Sequence, residues 1–306
     1  MLERARFQNY RCLRDVTVEY GPLTVLVGPN GSGKSSVLRG LLPGPLRPPG
    51  DVWQHRTDVK TAIALSFANG QLFEKTWANG KPSKAEGFSF SAQLLHLDLN
   101  ALRQPNQTDK APQLSSSGNN LTNAFDSLTR KQQGELAAQF AQLIPTFADV
   151  NAQPERAGQQ HLLFQDRWAP EAWYTAGEVS DGTMLVLAYL VLQYQRPQVD
   201  LILVEEPERG LHPYLLGSMV SFLRKMSRGE VGPRAVQIVL ATHSADLLDH
   251  LEPSEVRFLT RDAKEGSVRV DSVPTDTPAW QEAYRTYDES LGSLWKSGGL
   301  RGVPGG

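Results

Sequence analysis

The segment Gly28-Pro-Asn-Gly-Ser-Gly-Lys34-Ser35 lies between a short apolar run, Leu23–Val27, and a stretch from Lys34 to Leu42 that suits a helix. Strand, glycine-rich turn and helix in that order form a phosphate-binding loop. The glycines let successive backbone N–H groups curl round a β-phosphate, and the helix N-terminus adds its positive end. Lys34 is then placed to pair with β- and γ-phosphate oxygens, and the Ser35 hydroxyl to bind Mg2+. Such an element commits the chain to a buried strand and a helix on either side of one turn.

The remaining pattern extends this into an α/β fold. Val16, Val18 and Tyr20 alternate with Asp15, Thr17 and Glu19, as in a half-buried strand. Pro43, Pro45, Pro48 and Pro49 end the first helix by denying the backbone its donors. Residues 61–99 read as an antiparallel β-meander, with Asn69-Gly70 and Asn79-Gly80 as hairpin turns. The polar segment 104–120 reads as a mobile or irregular loop. Apolar residues at spacings of three and four predict helix over Leu121–Leu143, which Pro145 ends. Ser180 is a good N-cap for a run that is apolar on all sides, hence a buried helix. Leu201–Val204 and Val236–Ala241 read as buried strands, and Pro213–Met226 as a helix. The glycine-rich end, 296–306, reads as a flexible tail.

Three further motifs carry chemistry. The strand Leu201–Val204 delivers Glu205 and Glu206 at its carboxyl end. Adjacent buried carboxylates are unfavourable unless a cation neutralises them, which argues for a Mg2+-binding role. The first acid would hold the ion and the second would orient and polarise an attacking water. His243 ends the next buried strand, flanked by Thr242 and Ser244; taken alone it fits a core histidine as well as a γ-phosphate donor. Ser180-Asp181-Gly182-Thr183 fits an ordinary helix cap and equally an anion-binding helix terminus.

Composition removes several function classes. With 31 basic and 33 acidic residues the net charge is -2, so bulk charge does not drive the chain onto nucleic acid. Arg4, Arg6, Arg11 and Arg14, with Arg224, Lys225, Arg228 and Arg234, are interspersed with acids, which favours a solvated face over a DNA-binding one. The single cysteine, Cys12, excludes an internal disulfide framework and a thiolate zinc site. The most apolar run, Met184–Leu192, is far short of the roughly 18 to 20 residues that span a bilayer. The opening MLERARFQNYRCLR has no apolar signal-peptide core. The expectation is a cytoplasmic protein with no membrane partner.

Phosphate loop, S-D-G at a buried helix, paired glutamates and strand-histidine, in that order, resemble the ABC-type ATPase head. More closely the chain resembles stand-alone ABC-like ATPases of the AAA family, related to RecF-like and SMC-like heads and to the ATPase part of overcoming-lysogenization-defect nucleases. The likeness runs through FQNYRCLRDVTVEYGPLTVLVGPNGSGKSS, LDLNALRQP, GNNLTNAF, EVSDGT, VEEPERGLHP, ATHSADLLD and SLWKSGGL. It implies an ABC-type P-loop NTPase head, a mixed sheet with an antiparallel β-meander lobe and a helical signature lobe. The lobes are expected at 1–100 with 196–270, and at 101–195, in one single-head chain.

The resemblance also implies roles. Asn30, Gly31, Ser32, Gly33, Lys34, Ser35 and Ser36 become the Walker A cradle for ATP, and Ser180, Asp181, Gly182 and Thr183 the signature that completes a second subunit's site. Glu205 takes the Mg2+-linked position with Ser35, Glu206 the catalytic-base position and His243 the switch position. Arg209 to His212 fall where a D-loop crosses a dimer interface. Two departures stand out: Glu205 replaces the commoner aspartate, and the Q-loop glutamine is unplaced, with Gln93 and Gln104 as candidates. The implied function is an ATP-hydrolysing dimerisation switch in DNA repair or antiviral defence, with a homodimer or larger homo-oligomer and a separate effector such as a nuclease. The absence of an N-K-x-D motif favours ATP over GTP. A low-turnover ATP-binding regulatory subunit and a transporter nucleotide-binding subunit are the alternatives.

Overall fold

A computed structural model describes the chain except for residues 49, 57, 79–83, 155–157 and 299–306. The Asn79-Gly80 turn and nearly all of the tail therefore lie outside the described residues. In chain order the first elements are β1 (Leu2–Tyr10), β2 (Leu13–Glu19), β3 (Leu23–Val27), α1 (Lys34–Gly40), β4 (Thr61–Phe67), β5 (Leu72–Trp77), β6 (Lys84–Gly87) and β7 (Ala92–Leu95). There follow α2 (Leu99–Leu102), β8 (Asn106–Gln107), α3 (Leu121–Asp126), α4 (Arg130–Leu143), β9 (Phe147–Pro154), β10 (Gln159–Asp166), β11 (Trp173–Thr175) and α5 (Asp181–Leu192). The last are β12 (Leu201–Glu205), α6 (Pro213–Arg228), β13 (Gln237–Thr242), α7 (Ala245–Leu248), β14 (Val256–Arg261), β15 (Val268–Ser272), α8 (Pro278–Thr286) and α9 (Leu291–Lys296).

Two compact units result: Met1–Leu94 with Val199–Pro207 and Val236–Gly306, and Leu95–Gln198 with Glu208–Ala235. The expected lobe 196–270 is thus interrupted. The reason is α6, whose apolar face (Leu215, Met219) lines a small apolar crevice with Val186 and Leu190 of α5.

In the first unit, a six-stranded sheet runs β15-β14-β3-β13-β12-β7. Its centre, β14, β3, β13 and β12, is parallel, and β15 pairs antiparallel with β14. All five residues of β3 and all six of β13 are buried, as expected of parallel strands covered on both faces. The meander forms a separate antiparallel sheet, β2-β1-β4-β5-β6. Phe7, Ile63, Leu38, Leu203 and Val239 join both sheets and α1 in one core.

A cation is buried in this unit. Lys75 of β5 is 2% exposed and donates to the Leu42 carbonyl at 2.6 Å, and burial lowers its pKa from the ordinary 10.5 to about 8. The folded state therefore holds this proton less tightly than the unfolded chain. Stability is reduced below pH 8 and recovers as pH rises from about 8 to 10.5, a gain on the order of 3 kcal/mol. Urea titrations at pH 7 and pH 10 are expected to show this rise in the wild type and not in Lys75→Met.

The second unit is mainly helical, as expected of that lobe, and adds a small sheet. Polar strands β9, β10, β11 and β8 form an antiparallel sheet around β10. Phe140 of α4 stacks over it, with ring centroids 5.7 Å from Phe164 and 6.3 Å from Phe147. The helix expected over Leu121–Leu143 is two, because Thr129 starts afresh: its hydroxyl accepts from Gln132 N–H and the Gln132 side chain accepts from Thr129 N–H. The polar segment 104–120 is tied down by Asn106, Asn120 and Gln195, which bond to Asn119 O, Gln113 O and Leu114 N–H. Helix α5 is buried from Gly182 to Leu192.

Candidate active site

The site is assembled by the parallel strands. Thr242 of β13 pairs with Val27 of β3, and Glu205 of β12 with Ala241 of β13. Gly28, His243 and the Glu205–Glu206 pair therefore leave neighbouring strands at their carboxyl ends, where open α/β sheets bind ligands.

The loop has the shape a polyphosphate requires. Gly31 and Gly33 adopt φ of 78° and 103°, turning backbone N–H groups inward ahead of α1. At Gly28 a Cβ would lie 2.4 Å from Leu259 O and 2.7 Å from Ser32 Oγ, so only glycine lets the loop close. Lys34 folds back to donate to Gly28 O at 2.7 Å and Pro29 O at 3.0 Å, holding its charge across the mouth of the loop. Asn30, Gly31 and Ser35 are exposed, Gly33 and Ser36 half-buried, and Ser32 buried.

Glu206 is a non-glycine residue with φ of 48°, a strained conformation held by its N–H donating to Ala241 O at 2.8 Å. Its carboxylate oxygen Oε1 lies 3.4 Å from His243 Nδ1. Ser244 N–H donates to the buried Thr242 Oγ1 at 2.9 Å, fixing the turn that carries the histidine. Ser35 with Glu205 offers one hydroxyl and one carboxylate, a hard-oxygen set that suits Mg2+ sharing its shell with phosphates and water. Among the described residues no cluster of three or more His, Cys, Asp or Glu side chains forms an all-protein metal site.

Residues 85–249 match the family described as "AAA domain, putative AbiEii toxin, Type IV TA system". The chain belongs to this family of AAA domains. Residues 1–42 of this AAA domain also match the family described as "AAA ATPase domain". A curated relative, the OLD nuclease of Thermus scotoductus (strain ATCC 700910 / SA-01), is 51% identical over 41 residues. That stretch is 13% of this chain and 8% of the nuclease, so the chain matches a small fraction of its relative's length. Solved structures share the fold at 12% identity. An SMC head bound to the C-winged helix domain of ScpA has a TM-score of 0.67, covering 90% of this chain and 98% of that one. The SMC head of Thermotoga maritima has a TM-score of 0.56, covering 89% and 98%. An SMC head bound to the C-terminal domain of ScpA derived from Pyrococcus furiosus has a TM-score of 0.62, covering 94% and 98%. The fold is the ABC-type P-loop ATPase head.

Ser180 to Thr183, the turn expected to form a signature, lies in the second unit. Ser180 Oγ accepts from Thr183 N–H at 3.2 Å and lies 2.8 Å from Thr183 Oγ1, while Gly182 and Thr183 are buried. Asp181 is held by Arg103 Nη2 at 2.6 Å, and Nη1 of the same guanidinium bonds the Val179 and Ala176 carbonyls. A cavity of about 710 Å3 opens on this turn, lined also by Gly210, His212 and Tyr214. Gln93 lies on β7, next to β12, whereas Gln104 follows α2 and donates to Asn100 O.

Sequence reasoning missed three features. Arg103 ties down the Ser180–Thr183 turn from 78 residues away, with no local pattern to flag it. Arg261 of β14 donates to the Gly31 carbonyl at 2.9 Å and so braces the phosphate loop. A cavity of about 570 Å3 beside α1 is lined by Arg11, Cys12, Ser36, Trp53, His55 and Arg261. Of the N-terminal basic residues, Arg6 pairs with Asp15 at 3.0 Å, Arg11 with Asp51 at 3.0 Å and Arg14 with Glu265 at 2.6 Å. Among the described residues no helix is long and apolar enough to cross a membrane.

Proposed function

We propose that this AAA domain binds and hydrolyses ATP as a nucleotide-driven dimerisation switch, working with a separate effector such as a nuclease in DNA repair or antiviral defence. The observation that carries the reading is the arrival of the phosphate loop, Glu205, Glu206 and His243 at adjoining strand ends.

The loop N–H groups and Lys34 hold the β- and γ-phosphates, and the 570 Å3 cavity beside α1 accepts the nucleoside. Ser35 and, directly or through water, Glu205 would hold a Mg2+ ion, which would supply charge neutralisation at the phosphates. Glu206 orients a water for in-line attack and takes its proton. His243, 3.4 Å from that carboxylate, keeps it aimed and would donate to the γ-phosphate. The buried Gly182 turn, with Ser180 at its cap, closes over the nucleotide of a second copy through N–H groups and the helix dipole.

Steady-state phosphate release, measured with and without DNA, and light scattering with and without ATP test the reading together. Turnover with a doubling of mass on ATP is expected. Turnover at constant mass removes the dimer switch. Tight ATP binding with no turnover leaves a low-turnover regulatory subunit.

A further inference from the structure

Helices α8 and α9 make no contribution to the proposed chemistry above, yet α9 is bound closely to the helix that follows His243. Helix α7 starts directly after His243-Ser244, with the Ser244 hydroxyl accepting from Leu247 N–H at 3.2 Å. Helix α9 lies against α7. At Gly292 a Cβ would stand 2.2 Å from the Ala245 carbonyl oxygen and 2.8 Å from an Asp249 carboxylate oxygen, so the two backbones meet at a separation only glycine permits.

Charged and polar groups fasten this contact. Asp249 Oδ1 accepts from the Ser290 hydroxyl at 2.6 Å and from Gly292 N–H at 2.9 Å, at the positive end of α9. Lys296 Nζ donates to Asp246 at 3.0 Å one turn further along. Leu291, Leu294 and Trp295 are buried, as are Leu247 and Leu248 of α7. Asp249 itself is exposed, so it fastens the helices without filling the core.

We infer that Asp249 is a positioning residue for hydrolysis: by holding α9 on α7 it sets where His243 stands relative to Glu206. The inference rests on the proposed role of those two residues. The segment from Ala245 is short and rigidly capped, so a shift of α7 is passed directly to the histidine that precedes it. A displacement of about 1 Å of a group that orients the reacting carboxylate is enough to slow catalysis about 10²-fold. The phosphate loop lies on β3 and α1 and has no bond to Asp249, so nucleotide affinity is not expected to follow.

Asp249→Ala removes both bonds at an exposed position, and Gly292→Val separates the helices sterically. Three quantities decide: ATP affinity by titration, kcat by phosphate release, and the His243 imidazole resonance in the nucleotide-free protein, assigned by its loss in His243→Gln. For Asp249→Ala the expected result is a kcat reduced about ten- to a hundredfold, unchanged ATP affinity and a displaced His243 resonance. Gly292→Val is expected to do the same more strongly; if it does not fold, Asp249→Ala decides alone. An unchanged resonance overturns the inference, whatever the rate does. So does unchanged kcat in a protein whose wild type hydrolyses ATP, and in that case the proposed function stands. A wild type without turnover sinks the ATPase reading instead, and the His243 resonance then decides the positioning role by itself.

Discussion

Glu206→Gln is expected to bind ATP as the wild type does while hydrolysing it at least about 10²-fold more slowly, the usual scale for loss of a general base. The substitution keeps the side chain's length while removing its negative charge and its capacity to take a proton. The backbone strain at φ 48° is unchanged, because glutamine is no easier to place there than glutamate. If the composite site forms as proposed, the stalled variant accumulates as a dimer in the presence of ATP, read by light scattering. Turnover at the wild-type rate would show that the base lies elsewhere. Glu206→Gly is an informative companion: it loses the same carboxylate but relaxes the left-handed backbone, so it is expected to be more stable by about 1 kcal/mol while equally inactive.

Lys34→Ala should abolish the first step instead of the last. The lysine is 9% exposed and is the ammonium that spans the loop between Gly28 O and Pro29 O. With nucleotide present those donors turn to phosphate oxygens, and charge-assisted bonds of this kind are about twice as strong as neutral ones. Removing the group is expected to weaken ATP binding by at least about 10²-fold, or roughly 3 kcal/mol, by calorimetric titration. Binding at unaltered affinity would undo the assignment of the loop. A melting curve on the same sample separates this from unfolding, since the truncation also leaves two carbonyls without their shared donor.

The parts legible in the sequence are those whose signal is local. The phosphate loop, Ser180 as an N-cap, and the apolar runs that became β3, β12 and β13 each carry their evidence within a few residues. Strand β1 was not legible because its alternation is broken: the pairing with β4 shifts register between Leu2 and Arg4, so the inward residues Leu2, Ala5 and Phe7 are unevenly spaced. Strands β9 to β11 were missed because their outer faces are polar and their apolar residues, such as Val150, Leu162 and Phe164, are sparse. The break between α3 and α4 was written in Thr129 and Gln132, but the continuous apolar spacing on either side outweighed it. Within the site, the left-handed Glu206 and the bracing by Arg103 and Arg261 come from tertiary packing, which no window along the chain contains.

The position of β3 also bears on how the protein comes to exist. Its sheet neighbours are β13 and β14, so Val27 leaves the ribosome about 200 residues before Gln237, the start of its first partner. At about 5–20 residues per second that is an interval of about 10–40 s. Throughout it, the nascent chain holds a five-residue apolar segment, Leu23–Val27, with both hydrogen-bonding edges open. The phosphate loop that follows β3 is made early and becomes a site only late. Newly made chains are thus expected to depend on chaperones until the carboxyl-terminal third has been synthesised, and to bind no nucleotide before then.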